Sequence, residues 1–167
     1  MQRLVTGLAR TIALMGGLVL SAIILLTCLS IAGRTLGLGE IKGSYEILEA
    51  GVAFSIFSFF PICQLHGGHA TVDVFTSGLG ARALAWLRAF WEVVLAAVIV
   101  FITWRLFGGV ERYYGNGETT LFLQFPVWWG YAASFVAAVI ASIVALYCAG
   151  ARVAAALTGR HFLPAEV

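Results

Sequence analysis

Charged side chains are scarce in this sequence. Asp, Glu, Lys and Arg make up 11% of its 167 residues, whereas a soluble domain contains about 25%. The apolar share is 61% and the mean hydropathy is +0.97. A chain of this composition does not stay in water, so we expect the lipid bilayer to be its solvent. The formal net charge of +2 also excludes the strongly basic surface that binds nucleic acid.

Residues that carry redox, metal or catalytic chemistry are scarce as well. The cysteines Cys28, Cys63 and Cys148 form no CxxC pair, so we expect small apolar residues and neither a disulfide framework nor a thiol relay. A haem-bearing membrane anchor needs facing axial ligands, and no predicted span interior contains a histidine. No nucleophile–base set, phosphate loop or pair of catalytic carboxylates occurs. The sequence therefore predicts a protein that is not an enzyme and has no cofactor.

Four long apolar runs, separated by short polar segments, are typical of membrane-spanning helices. The first run has no charge between residues 11 and 33. It is too long for a signal peptide, whose apolar region has about 7–15 residues, and it matches the roughly 20 residues of a span. We predict one membrane domain over residues 1–167. Its spans cover about residues 11–33, 45–65, 86–107 and 126–150.

The basic residues are distributed unevenly between the two sides of these spans. Six lie beside the termini and the middle loop: Arg3, Arg10, Arg82, Arg88, Arg152 and Arg160. Three or four lie on the other side: Arg34, Lys42, Arg112 and, by depth, Arg105. Because basic residues favour the cytoplasmic side, this excess predicts that both termini are cytoplasmic.

The segment between spans two and three is too short and too polar to cross a membrane. Val72, Phe75 and Leu79 share one helical face, which favours a short amphipathic helix in the cytoplasmic interface. The predicted fold is therefore an all-α integral membrane protein, with four transmembrane helices and this interfacial helix.

The histidines near this segment allow a metal site. His66, His69 and Asp73 have the spacing of one helix face, with Cys63 nearby. However, Gly67 and Gly68 disfavour a continuous helix there, and no second ligand cluster exists. We favour a polar turn that contacts lipid headgroups, and we predict no metal.

Charged residues within or near the spans are the next candidates. A carboxylate inside a span is costly and is by default a functional hypothesis. Glu49 on span two therefore binds a proton or a cation, or it lies at the outer edge and pairs with Arg105 or Arg34. On span three, Arg88 and Glu92 are four residues apart and are expected to pair locally.

Span four carries small residues at every fourth position. Small residues allow helices to approach closely in a membrane. The predicted packing face comprises Gly130, Ala133, Ser134, Ala137, Ala141 and Ala145. It either packs inside the four-helix unit or docks another membrane protein, and the sequence leaves both alternatives open.

Three stretches in order resemble one known family. They are residues 44–49 (SYEILE), residues 67–74 (GGHATVDV), and residues 117–121 with 125–131 (GETTL and FPVWWGY). The pattern resembles the DctQ-like small membrane subunit of tripartite ATP-independent periplasmic (TRAP) transporters. The resemblance places Gly68, His69 and Asp73 in the family's turn after the second helix. The family often has a basic residue before this turn, where Leu65 and His66 stand here.

The resemblance implies a function for the whole chain. It implies a multi-pass small permease subunit of the bacterial inner membrane, a fixed scaffold for a large subunit that translocates substrate and sodium ions. A periplasmic binding protein would deliver the solute, typically an organic acid anion. The residues expected to contact the binding protein are Arg34, Glu40, Lys42, Glu111, Arg112 and Glu118. Two alternatives remain: a self-contained small transporter or channel that uses Glu49, and a cofactor-bearing membrane anchor.

Overall fold

Four α-helices make up most of the chain. The computed structural model describes residues 2–66 and 80–158. The helices are α1 (Gln2–Thr35), α2 (Ser44–Leu65), α3 (Ala81–Asn116) and α4 (Trp128–Thr158). Each is long and apolar enough to cross a membrane. The expected all-helical fold with four span-capable helices is therefore confirmed.

Three of the sequence predictions about this fold are not tested by the four helices. The predicted turn with Gly68, His69 and Asp73, and the predicted amphipathic helix that follows it, lie outside the described residues. The cytoplasmic position of the termini stays a prediction.

The helices lie side by side in the order α1, α2, α4, α3. α2 packs against α1 and α4, and α3 packs against α4. α1 also makes a smaller contact with α4. In the described part of the chain, no backbone contact joins α3 to α1 or to α2. We call this arrangement the helix row. Half of the most apolar stretch of α4 is buried, against 17% in α1 and α2 and 11% in α3, so α4 is the interior helix.

Small side chains on α4 form the core of the helix row. On one side, Ala141 and Ala145 are fully buried against Ala96 and Ile99 of α3. On the other side, Val144 and Cys148 form a cluster with buried residues of α2 and α1: Leu65 and Ala9. Because alanine adds only one methyl group beyond the backbone, these helices approach closely enough for dispersion contacts to hold them in lipid.

The contact between α1 and α2 also depends on small residues. The Ser55 hydroxyl lies 3.1 Å from the Gly16 carbonyl oxygen and donates to it across the two helices. A Cβ built at Gly16 would lie 2.6 Å from Ser58 Cβ, so only glycine fits at this crossing. Gly17, one residue away, only borders Phe59.

Several helix ends differ from the predicted spans. α1 begins at Gln2, α3 begins at Ala81, and α4 ends at Thr158. The apolar pattern predicted that α3 ends before Gly108, but the helix continues to Asn116 and stops at Gly117, whose φ is 64°. Tyr131 of α4 packs directly over Gly109, so tertiary contact overrides the low helix propensity of the glycines. Pro126, predicted to open α4, precedes it by two residues and forms an isolated bridge with Thr119.

Candidate functional site

The small-residue face of α4 lies inside the chain. Four of its six predicted members are buried: Ser134, Ala137, Ala141 and Ala145. Gly130 adjoins α2, where its Cβ position lies 3.1 Å from the Ala50 methyl group, whereas Ala133 is exposed. Of the two alternatives that the sequence left open, packing inside the chain therefore describes the buried residues, which other helices of the chain already cover.

The exposed apolar surface lies instead on the outer helices of the row. α1 leaves a series of large side chains uncovered: Leu14, Leu18, Leu25 and Leu29. α3 does the same with aromatic residues: Phe90, Trp91, Phe101 and Trp104. In a membrane these faces contact either lipid or a neighbouring protein.

A buried polar cluster joins α2, α3 and α4 at the end where α2 stops. The Glu92 side chain on α3 is 10% exposed, and its Oε1 lies 3.5 Å from Nε of Arg152 on α4. Gln64 of α2 donates its amide N–H to the other Glu92 oxygen. The sequence predicted Arg88 as the partner of Glu92 from their spacing, and that contact stays a prediction. The partners on α2 and α4 were missed because they depend on the order of the helices in the row.

At the opposite end, Glu46 holds the connection between α3 and α4. Its carboxylate accepts N–H groups from Phe122 at 2.8 Å and from Leu123 at 3.0 Å. The Leu123 side chain sits against Gly43, the residue before α2, whose φ of 78° favours glycine. From sequence, Glu46 stood out only within residues 44–49, one of the three stretches that resemble the family. Its role as an acceptor for the connecting segment was missed.

This contact brings the two inter-helix connections to one end of the molecule, which we call the loop end (residues 36–43 and 117–127). All six residues predicted to contact a binding protein lie at or next to the loop end and are exposed: Arg34, Glu40, Lys42, Glu111, Arg112 and Glu118. The structure therefore brings these charges to one end of the helix row. Their contact with another protein stays a prediction.

Aromatic side chains surround the loop end. Tyr114 packs edge-on against Trp128, with ring centroids 5.4 Å apart, and Trp128 packs edge-on against Trp129 at 6.3 Å. Tyr113 and Tyr131 stack at 4.8 Å. Trp and Tyr prefer the membrane–water interface, so this cluster indicates that the loop end lies near one membrane surface.

A cavity of about 340 Å³ opens between α2, α3 and α4 beneath the loop end. We call it the Glu49 groove. Its polar lining residues include Glu46, Glu49, Thr120 and Ser134. Its apolar walls come from Ala50, Ala53, Leu106, Phe125 and Val127, with Gly130 and Tyr131.

Glu49 has neither of the cation partners that the sequence predicted. The residue is exposed, and within residues 2–66 and 80–158 no salt bridge joins its carboxylate to Arg34 or Arg105. Leu106 of α3 lines the groove, and consecutive helical residues point about 100° apart. Arg105 therefore points elsewhere, with its guanidinium carbon 6.0 Å from the centroid of the Trp104 ring. Arg34 lines a separate, smaller cavity of about 110 Å³.

Ser134 adds a second unusual group to the groove. It is 2% exposed, and its hydroxyl has no hydrogen-bond partner among the described residues. By contrast, Ser55 and Ser58 donate to carbonyl oxygens four residues earlier in their own helix. A buried hydroxyl without a partner costs free energy, so a group that reached Ser134 Oγ and formed a hydrogen bond with it would stabilise the protein.

No metal-binding arrangement accompanies these residues. In the ranges that the structure describes, no three His, Cys, Asp or Glu side chains lie together as metal ligands. Cys28 and Cys63 are exposed on their helices, while Cys148 is buried. The groove thus offers two carboxylates, of which Glu46 already accepts the Phe122 and Leu123 N–H groups, together with hydroxyl groups and apolar walls. This lining suits a cationic or hydrogen-bond-donating group with an apolar stem.

Comparison with known proteins gives one match. Residues 23–155 match the family described as "Tripartite ATP-independent periplasmic transporters, DctQ component". Neither the curated proteins nor the solved structures give a match. The matched range includes α2, α3, the loop end and nearly all of α4.

Proposed function

Because this chain belongs to the DctQ family of tripartite ATP-independent periplasmic transporters, we propose that it acts as the scaffold for a larger membrane subunit during solute uptake. The family consists of transporter subunits and not enzymes. The proposal places the chain in the bacterial inner membrane. There, a periplasmic binding protein delivers an organic acid anion, and the large subunit moves it together with sodium ions.

The shape of the helix row is the observation that carries this proposal. A closed four-helix bundle would bury one face of every helix, but here only α4 is largely buried. α1 and α3 keep broad apolar faces that lipid or a larger membrane protein can cover. The helices of the row are held together by close contacts between small residues and by the buried polar cluster that contains Glu92. A unit held together in this way suits a support beside a moving partner.

The test is co-purification. The chain is expressed with the large subunit of its own transporter, and the complex is extracted in mild detergent through a tag on this chain. We expect the two subunits to elute together in constant ratio. Recovery of this chain without the large subunit, at a yield equal to that of a tagged unrelated four-helix membrane protein, would refute the scaffold role.

A second candidate function follows from Glu49. Its exposed carboxylate lacks a cation among the described residues, as a proton- or cation-coupling group would in the empty state. This favours a self-contained small transporter as the alternative. Solute accumulation in liposomes that contain only this chain would support the alternative, and its abolition by Glu49→Gln would assign the coupling group.

We also propose that the exposed charges of the loop end contact the periplasmic binding protein. Arg112 lies near the end of α3, and Glu118 lies on the connecting segment that Glu46 holds against α2, so both are positioned relative to the helix row. Exposed charges act mainly on association rates, and salt weakens their effect. Arg112→Glu is therefore expected to slow uptake at low ionic strength and to have little effect at high ionic strength. Unchanged uptake at low salt would remove this contact from the proposal.

A further inference from the structure

We propose that the Glu49 groove receives a lysine or arginine side chain from a membrane-spanning helix of the large subunit. This inference rests on the proposed function, because it requires a large membrane partner. It assigns that partner's cation to a defined place on this chain, between α2, α4 and the end of α3.

Charge complementarity is the first argument. Glu49 lies in the second turn of α2, on the exposed side of the groove, and the described residues give it no cation. An ionised carboxylate at the edge of a span is costly unless a cation or water compensates it. The basic residues that the sequence paired with Glu49, Arg34 and Arg105, are directed elsewhere. The groove therefore leaves this carboxylate open to a cation from a neighbouring protein.

The hydroxyl of Ser134 is the second, independent argument. Ser134 lines the groove, is 2% exposed and has an Oγ atom without a hydrogen-bond partner among the described residues. An incoming ammonium or guanidinium carries three or five N–H donors. In this proposal one donor meets Ser134 Oγ and the others meet the Glu49 carboxylate, because both residues line the same groove.

The size and lining of the groove fit a long side chain better than a bare ion. A volume of about 340 Å³ is roughly ten times the volume that one water molecule occupies in the liquid. Leu106, Phe125 and Ala53 form apolar walls. Lys and Arg bury their methylene stems on such walls and keep the charged group at a polar site.

The position of the groove favours a side chain from a neighbouring helix over a lipid headgroup. Thr120 and Phe125, from the segment that Glu46 clamps, cover the groove on the side of the loop end. Ser134 lies four residues beyond Gly130, the point where α4 meets Ala50 of α2, and therefore about 6 Å deeper along the helix. A headgroup at the membrane surface would reach Glu49 without reaching Ser134. A lateral side chain at the depth of the groove reaches both.

The test compares three variants in the complex purified without the binding protein. Glu49→Lys places a cation where the partner's cation is expected, and we expect recovery of the large subunit to fall by about tenfold or more. Glu49→Gln keeps the shape of the side chain and removes its charge, so we expect recovery of the large subunit to fall less than with Glu49→Lys. Glu111→Lys makes the same charge change on an exposed residue outside the groove, and recovery stays at the wild-type level.

Charge exchange identifies the partner residue. Each Lys or Arg in the membrane spans of the large subunit is replaced by Glu in turn, in combination with Glu49→Lys. We expect one such replacement to restore recovery. A wild-type level of recovery with Glu49→Lys alone, or the absence of any restoring replacement, would overturn the inference.

A photo-crosslinking amino acid at Ala53 tests the groove without a change of charge. This variant also keeps the inference testable if Glu49→Lys does not fold. Adducts to the large subunit from position 53, and none from position 111, support the inference. Adducts to lipid only overturn it. If the unmodified chain recovers no large subunit, the proposed function itself fails. If the unmodified chain recovers the large subunit and the groove variants recover it equally well, only this inference fails.

Discussion

The crossing of α1 and α2 allows a quantitative test of the packing. In the variant Gly16→Ala, the new methyl group would lie 2.6 Å from Ser58 Cβ and 3.5 Å from the Ser55 carbonyl oxygen. The two helices must therefore separate by roughly 1 Å, and close-packed interiors resist such a shift. Overpacking costs about 1–3 kcal/mol, and loss of the hydrogen bond from Ser55 to Gly16 costs about 0.6 kcal/mol.

The higher helix propensity of alanine opposes these costs by about 1 kcal/mol. The expected net loss in the free energy of unfolding is then about 0.5–2.5 kcal/mol. It is measured by denaturation with SDS in mixed detergent micelles, followed by tryptophan fluorescence. Gly7→Ala is the matched control on the same helix, because its Cβ position meets nothing within 4 Å. A Gly16→Ala protein as stable as the Gly7→Ala protein would refute the close crossing.

Three further changes test the other contacts. Glu46→Gln removes the charged acceptor of the connecting segment, so amide hydrogen exchange at Phe122 should become several-fold faster. Unchanged exchange would contradict the role of Glu46 in holding this segment. Thr103→Val removes the hydroxyl that bonds to α4 and should lower the free energy of unfolding by about 0.6 kcal/mol in the same micelles. Arg152→Met leaves the mostly buried Glu92 without this cation and should cost at most about 3 kcal/mol. Adding Glu92→Leu should recover part of that loss, and equal stability of the single and double variants would exclude coupling.

The number and approximate place of the helices could be predicted from sequence because the bilayer fixes the length of a span. The small residues of α4 were also recognisable, since their four-residue period needs no knowledge of other helices. Which helix they contact was not predictable. The pattern left open whether Ala141 packs inside the chain or against another subunit. The answer depends on α4 being the interior helix of the row.

The main features that could not be predicted from sequence were contacts between residues far apart along the chain. Glu46 and Phe122 are 76 residues apart, and Glu92 and Arg152 are 60 apart in number, so no local spacing links them. The end of α3 was misplaced for a related reason. Glycines at 108 and 109 favour a break in an isolated helix, but the ring of Tyr131 covers the second of them. Each error arose where a tertiary contact overrode a local preference.

Uptake by reconstituted liposomes tests the scaffold role most directly. Vesicles containing this chain alone, the large subunit alone, or both are supplied with the loaded binding protein and a sodium gradient. The account predicts sodium-driven accumulation of solute only when both membrane subunits are present. Accumulation in vesicles that contain this chain alone would contradict it.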